Sequence, residues 1–122
     1  VHEYPYVGDD IGAQQVLHDL VNNGHQLILF TMRSEINYLD DAVAWFQEQG
    51  IPLYGVQSHP EQKSWTASPK AYGELIIDDT MLGAKLVDGR YLNWQWTAEA
   101  LCAQGLITPA QLAAYDFSLY VF

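Results

Sequence analysis

The sequence predicts an α/β domain in which helices cover a mainly parallel sheet. Two observations lead to this prediction: strand-like and helical segments alternate along the chain, and the strand-like segments are continuous apolar runs. Strands read in this way when crossover helices bury both faces of a parallel sheet. Since no stretch rich in Pro, Gly or Ser divides the chain, we predict a single domain over residues 1–122.

The first half of the chain predicts two helices and two strands. Residues 9–24 (DDIGAQQVLHDLVNNG) place their apolar side chains on one helical face, begin with acidic residues and end in glycine. The apolar run HQLILFTM, residues 25–32, predicts a buried strand. Residues 34–50 predict a second helix with an apolar stripe and a terminal glycine. Residues 51–58 (IPLYGVQS) predict the second strand.

The second half predicts a third strand and two further helices. A polar loop over residues 59–70 precedes the third strand, GELIIDD, at residues 73–79. Residues 93–105 predict a helix, and Thr108 is the expected N-cap of a short one with a proline in its first turn. The final segment FSLYVF, residues 117–122, fits either an edge strand or a docked tail.

Composition excludes several classes of partner. The formal net charge is −10, from 15 acidic residues against 5 Lys and Arg, and such a surface disfavours nucleic acids and anionic membranes. No apolar run approaches the roughly 18–20 residues that cross a bilayer. Cys102 is the sole cysteine, which excludes an internal disulfide framework and fits a reducing compartment. We therefore predict a cytoplasmic protein that binds neither nucleic acid nor membrane. The sequence makes no prediction of its oligomeric state.

Polar side chains follow each of the three predicted strands. In open parallel sheets, ligands bind outside the carboxyl ends of the strands. We therefore expect one edge of the sheet to carry Thr31, Arg33 and Ser34 after the first strand, Gln57, Ser58 and His59 after the second, and Asp78 and Asp79 after the third, with Lys70 shortly before that third strand.

These residue types together indicate phosphate chemistry. Thr31 and Lys70 can donate hydrogen bonds to phosphoryl oxygens, and Lys70 can also neutralise developing charge. Asp78 and Asp79 can hold a hard cation such as Mg²⁺, which would relieve the repulsion between adjacent carboxylates. The sequence thus predicts a site that binds a phosphoryl group and Mg²⁺.

Each residue also has a simpler interpretation when it is taken alone. A threonine after a strand is often a helix-capping group, and a loop lysine is usually solvated. The DDT segment, residues 78–80, could be a turn in which an aspartate side chain caps the backbone. The order and placement of the four residues together favour the phosphate interpretation over the separate ones.

The segments LILFTMRS, SPK and ELIIDD occur in an order that resembles the haloacid dehalogenase superfamily of phosphatases and related hydrolases. Thr31 resembles its second motif, Lys70 its third, and Asp78 with Asp79 its fourth. The likeness to small members of that superfamily covers roughly residues 1–90. It implies a Rossmann-like three-layer sandwich, Mg²⁺ as cofactor and a small phosphomonoester as substrate. Arg33 and Ser34 are then candidates for substrate contact, and Thr31 and Lys70 for catalysis.

One departure from that superfamily concerns the nucleophile. Its members resemble one another in a first motif with two aspartates: one attacks phosphorus and forms an aspartyl-phosphate, and the other, two residues later, is the general acid and base. The chain has no such motif, and Asp9 and Asp10 look like the start of a helix. We expect the motif, and the first strand that carries it, upstream of Val1. Two alternatives stay open: a catalytic strand from elsewhere, or a non-catalytic binding or structural module that has lost its nucleophile.

Overall fold

A computed structural model describes residues 9–34 and 36–118, and these form two compact units. The strand–helix unit contains residues 26–74. The helical unit contains residues 10–25 together with residues 75–118. The prediction of a single domain over the whole chain stays a prediction.

Helices dominate the described residues. The longest of them has 13 residues, and in this part of the chain no helix could cross a bilayer. In chain order the elements are α1 (Ala13–Asn22), β1 (Ile28–Leu29), α2 (Ile36–Glu48), β2 (Gly55–Val56), a 3-10 turn (Gln62–Ser64), β3 (Leu86–Val87), β4 (Tyr91–Leu92), α3 (Trp94–Ala103) and α4 (Pro109–Ala114). The four predicted helices are confirmed, and the first two predicted strands are present as shorter elements.

The strand–helix unit is a β–α–β arrangement. β1 and β2 pair in parallel, and α2 is the crossover between them. Two further backbone hydrogen bonds extend the pairing. The Tyr54 N–H donates to the Leu27 carbonyl and the Gln57 N–H donates to the Leu29 carbonyl, both with an N···O distance of 2.7 Å. Ile51, between α2 and β2, is only 2% exposed and lies in the core of the unit. The carboxyl ends of the two strands therefore meet at one edge, as parallel pairing requires.

The core of the helical unit lies among its helices. α1 packs against α3, and α3 packs against α4. The buried aliphatic side chains come from α1, α3 and the turn before α4: Val16, Leu20, Ala98, Leu101 and Ile107. Burying a large aliphatic side chain contributes roughly 1.5–3 kcal/mol, so these residues make a substantial contribution to the stability of the unit.

Asp10 holds the turn from which α1 begins. Its Oδ1 accepts hydrogen bonds from the backbone N–H groups of Gly12 (3.2 Å), Ala13 (2.9 Å) and Gln14 (3.3 Å). Gly12 has a φ of 106°, and a Cβ at this position would come within 2.9 Å of the Phe117 ring. The expectation that the first acidic pair starts a helix is therefore confirmed, with Asp10 satisfying donors that the helix itself leaves unpaired.

α4 begins with a capping box, and Thr108 is its N-cap, as the sequence predicts. The Thr108 hydroxyl accepts from the Gln111 N–H at 3.0 Å, and the Gln111 side chain accepts from the Thr108 N–H at 2.9 Å. The Gln111 amide also donates to the Asn23 side chain at 2.8 Å, which joins α4 to the end of α1. The chain after Ser118, predicted as an edge strand or docked tail, lies outside the described residues.

A hairpin that the sequence analysis did not predict joins β3 to β4. Asp88 and Gly89 both have positive φ, 56° and 63°, and the Arg90 N–H donates to the Val87 carbonyl at 3.1 Å. These angles match the tight turn that an Asp-Gly pair favours, because its twist suits antiparallel strands. The guanidinium of Arg90 lies 5.2 Å from the centroid of the Tyr91 ring.

The prediction of a Rossmann-like three-layer sandwich with a mainly parallel sheet is wrong. Within the described residues there are two sheets of two strands, one parallel and one antiparallel. Residues 73–79, the predicted third strand, form no strand, and Leu75, Ile76 and Ile77 are 43%, 39% and 36% exposed. An apolar run becomes a strand only where a neighbouring backbone supplies its hydrogen bonds, and composition does not encode that neighbour.

We expect Asp10→Ala to lower the free energy of unfolding by about 1 kcal/mol, because it removes the acceptor from the first turn of α1. Urea denaturation followed by circular dichroism measures the change. Asp9→Ala is the matched control, since Asp9 is an exposed acid one position earlier. Equal losses in the two variants would contradict the capping role of Asp10.

Tyr115, just after α4, has a buried hydroxyl with no hydrogen-bond partner among the described residues. Burial raises the pKa of Tyr115 above its ordinary value of 10.0, and the negative charge of Asp19 acts in the same direction. The folded state therefore holds the phenolic proton more tightly than the unfolded chain does. This contribution to stability is complete below the ordinary pKa and is lost as the pH rises above it.

We expect the free energy of unfolding to fall as the pH rises above about 10, and Tyr115→Phe to make that fall smaller because the variant has no phenol to ionise. Urea denaturation at several pH values measures both slopes. Tyr91→Phe, at a tyrosine that is 38% exposed, is the control and should keep the wild-type slope. If the free energy of unfolding has the same pH dependence in the wild type and in Tyr115→Phe, the buried phenol does not contribute to that dependence.

Candidate functional site

The turn after β1, residues 31–34, is fastened to the end of β2 by one side chain. The Gln57 Oε1 accepts from the Thr31 N–H at 2.9 Å, and the Gln57 Nε2 donates to the carbonyls of Thr31 (2.7 Å) and Arg33 (3.0 Å). Gln57 itself has a φ of 65°, in the left-handed region that side chains rarely adopt. The structure therefore brings together Thr31 and Gln57, which the sequence placed at the carboxyl ends of adjacent strands.

The Thr31 hydroxyl lies within this turn. Its oxygen accepts a hydrogen bond from the Arg33 N–H at 3.2 Å. A hydroxyl has one donor and two acceptor positions, so this contact leaves its proton for another acceptor. Arg33 is half-buried, and its Nη1 donates to the Tyr38 carbonyl in α2 at 3.1 Å, whereas Ser34 is exposed. Substrate contact by Arg33 and Ser34 stays a prediction.

A buried glutamine organises the loop that follows β2. Gln62 is 4% exposed, and all four hydrogen-bonding positions of its amide are used. Its Oε1 accepts from the N–H groups of Tyr72 (2.9 Å) and His59 (3.4 Å). Its Nε2 donates to the carbonyls of Lys70 (2.6 Å) and Ser68 (3.0 Å). One side chain thus sets the path of the backbone up to Tyr72.

Lys70 has a fixed backbone and an exposed side chain. Its carbonyl accepts from Gln62, and its N–H donates to the Ser68 hydroxyl at 3.2 Å. No carboxylate within the described residues pairs with its ammonium group. Lys70 and Thr31 belong to the same unit, so the two predicted phosphate-binding side chains lie on one compact body.

Asp78 and Asp79 lie in the helical unit and follow irregular backbone instead of a strand. The Asp78 Oδ1 accepts from the Thr80 N–H and from the Thr80 hydroxyl, both at 3.0 Å. The hydrogen bond from the Thr80 backbone lowers the pKa of Asp78, whereas the hydrogen bond with Asp78 raises the pKa of Asp79. Residues 78–80 therefore form the side-chain-capped turn that was the simpler interpretation of DDT.

The Asp78–Asp79 pair meets part of what a Mg²⁺ site needs. Mg²⁺ is commonly bound through one or two carboxylates, with water and substrate phosphate as the remaining ligands. Two adjacent acids provide that number of carboxylates, and Asp78 raises the pKa of Asp79. In the described part of the chain, no group of three or more His, Cys, Asp or Glu side chains could hold a metal ion. Mg²⁺ binding stays a prediction.

An apolar cavity of 520 Å³ opens between the end of α2 and β2. Its wall includes Val43, Phe46, Ile51, Leu53 and Val56. None of the predicted site residues lines it. The lining residues include one polar side chain, Gln47, and no charged group. The candidate site is therefore assigned to the turn at Thr31 and the loop around Gln62.

Sequence reasoning placed the polar side chains of the strand–helix unit but missed what holds them. Gln57 was expected at the rim, whereas its role in fastening the turn at Thr31 was not. Gln62 was not singled out, because a glutamine inside the polar loop HPEQKSWTASPK gives no signal of burial. A buried amide of this kind is recognised only from the backbone groups around it.

No protein-family model, no curated protein and no solved structure matches this chain. The resemblance to the haloacid dehalogenase superfamily therefore rests on its three short motifs.

Proposed function

We propose that this chain is part of a Mg²⁺-dependent hydrolase of small phosphomonoesters, and that its strand–helix unit binds the phosphoryl group. The observation that carries the proposal is the turn at Thr31, which Gln57 fastens where two parallel strands end. Ligands bind at such strand ends in α/β proteins. The same unit carries Lys70, a cation in a chain of strongly negative charge.

Thr31 and Lys70 have complementary roles in this proposal. The Thr31 hydroxyl, which accepts from Arg33, donates its proton to a phosphoryl oxygen. The Lys70 ammonium supplies a positive charge with three donors, and charge-assisted hydrogen bonds to phosphate are among the strong ones. Because Gln57 and Gln62 hold the two backbones, little ordering of this unit is needed when an anion binds.

Asp78 and Asp79 are the proposed ligands of Mg²⁺. Mg²⁺ bound at this turn would supply positive charge. The two carboxylates hold a cation through their negative charges, and the partner Thr80 orients Asp78.

The 122 residues contain no residue that we assign as nucleophile. We propose that a two-aspartate motif supplies this chemistry: one aspartate attacks phosphorus while the other protonates the ester oxygen that leaves, and water, deprotonated by the second aspartate, then cleaves the aspartyl-phosphate to release phosphate. The 122 residues contain no two-aspartate motif at a strand end, so they are expected to bind phosphate without turning it over.

We expect the chain to bind inorganic phosphate, and Thr31→Val and Lys70→Ala each to weaken binding by roughly 10- to 100-fold, as loss of a hydrogen bond to a charged group does. Isothermal titration calorimetry measures the affinities. Lys85→Ala is the matched control, because it removes one positive charge from the helical unit. Phosphate affinity that is equal in wild type and Lys70→Ala would contradict the proposal.

A second candidate function is a non-catalytic binding or structural module. The hydrogen bonds from Thr80 to Asp78 favour it, because they stabilise the acidic turn without a cation. Such a module would bind its partner whether or not Asp78 can hold a metal.

Turnover by the full gene product that contains this chain separates the two candidates. If the chain belongs to a hydrolase, that protein cleaves a generic phosphomonoester, EDTA abolishes the activity, and Asp78→Asn lowers it on the order of 100-fold because a metal ligand is lost. Thr80→Val is the control for the turn, since it removes the hydroxyl donor and keeps both carboxylates. Absence of EDTA-sensitive turnover in the wild type would favour the non-catalytic module.

A further inference from the structure

Four aromatic rings form a continuous row in the strand–helix unit. Tyr54 contacts His59 with their centroids 5.2 Å apart, His59 contacts Tyr72 at 5.7 Å, and Tyr72 contacts Trp65 at 5.4 Å. The rings meet edge to face, with interplanar angles of 73°, 73° and 90°. We call this set of four side chains the aromatic row. Edge-to-face packing is a favourable arrangement, so the row holds its own geometry.

One end of the aromatic row is open to solvent. Trp65 is 56% exposed and Tyr72 is 47% exposed. Large aromatic side chains lose their advantage in packing when half of their surface stays in water, and exposed apolar surface with fixed geometry marks binding sites. The pair therefore presents ring surface that the fold of this unit does not use.

The same loop carries two exposed lysines, together with one acidic residue, Glu61. The chain has 5 Lys and Arg, and Lys63 and Lys70 lie in the loop that carries Trp65 and Tyr72. Neither ammonium group has an ion-pair partner in the described part of the chain. With a net charge of −10 over the whole chain, an anion that approaches this protein is drawn to the few places where cations are exposed.

A single side chain holds the backbone of both Lys70 and Tyr72. The Gln62 amide donates to the Lys70 carbonyl at 2.6 Å and accepts from the Tyr72 N–H at 2.9 Å. These two residues are separated by one position, so the backbone between them has little freedom. A ligand that contacts both residues therefore has little backbone to order here, which reduces the cost of binding.

We propose that the exposed end of the aromatic row binds the ring of an aryl phosphate whose phosphate group binds Lys70. This inference rests on the proposed function and names its substrate class: small phosphomonoesters with an aromatic ring next to the phosphate. Trp65 and Tyr72 are the specificity-determining residues, because they contact the ring and take no part in binding the phosphate. Aromatic pairs in offset-stacked or edge-to-face contact are favourable beyond the area that they bury.

Three probes test the proposal by calorimetric titration of the chain: phenyl phosphate, cyclohexyl phosphate and inorganic phosphate. The two esters carry the same phosphate on rings of similar size, so a difference in affinity reports the aromatic contact. We expect phenyl phosphate to bind roughly two- to tenfold more tightly than cyclohexyl phosphate. Equal affinity for the two esters in the wild type would overturn the inference.

Variants at the ring positions complete the test. Trp65→Leu and Tyr72→Leu should remove the preference for phenyl phosphate and leave the affinity for inorganic phosphate unchanged. Tyr72→Phe should keep the preference for phenyl phosphate, because this variant retains an aromatic ring at position 72. Tyr91→Leu, at a half-exposed tyrosine of the helical unit, is the control and should keep both affinities. A preference that survives in Tyr72→Leu and Trp65→Leu would overturn the assignment of the rings.

The outcomes also separate this inference from the proposed function. Phosphate binding that depends on Lys70, without any preference for the aryl ester, overturns the inference and leaves the proposed function standing. Phosphate affinity that Lys70→Ala does not change overturns the proposed function, and with it the pairing of ring and phosphate.

Discussion

In the strand–helix unit, two glutamine side chains bond backbone N–H and C=O groups that a longer β-sheet would otherwise pair. A buried N–H or C=O group without a hydrogen bond costs free energy, so every segment near the core needs a partner for its backbone. In the strand–helix unit the parallel pairing is two residues long on each strand. Beyond it, Gln57 makes three hydrogen bonds to the turn at Thr31, and Gln62 makes four to the following loop. The conformation of both segments depends on these amides.

This constraint decides which groups are available for binding. Gln57 holds the backbone of Thr31, and Gln62 holds the backbone of Lys70 and of Tyr72. These three residues carry the hydroxyl, the ammonium group and the aromatic ring of the proposed site. Gln57 and Gln62 carry no charge, so they orient these groups without competing with a bound anion. The acidic pair at Asp78 and Asp79 depends on a separate local device, the turn that Thr80 completes. The residues proposed to bind phosphate and those proposed to bind a cation therefore depend on different local interactions.

The helical unit shows a contrasting balance between local and tertiary interactions. Its helices begin at side-chain caps that lie next to them in sequence, Asp10 for α1 and Thr108 for α4. Short-range signals of this kind were sufficient to predict the helices. The Asp-Gly turn between β3 and β4 is also a local signal, and it was missed because the surrounding apolar run is short. Tyr115 is the exception in this unit, since a buried hydroxyl without a partner cannot be recognised from a sequence.

The sequence by itself determined the four helices, the two parallel strands and the residues that follow them, because caps, glycine terminators and apolar periodicity act over a few neighbouring positions. The presence of Thr31 at a strand end was therefore predictable. Tertiary structure alone decided that residues 75–77 form no strand, that Gln57 joins the turn at Thr31 to the end of β2, and that Gln62 is buried. Each of these depends on which distant backbone comes close enough to exchange hydrogen bonds, and residue type does not specify that partner.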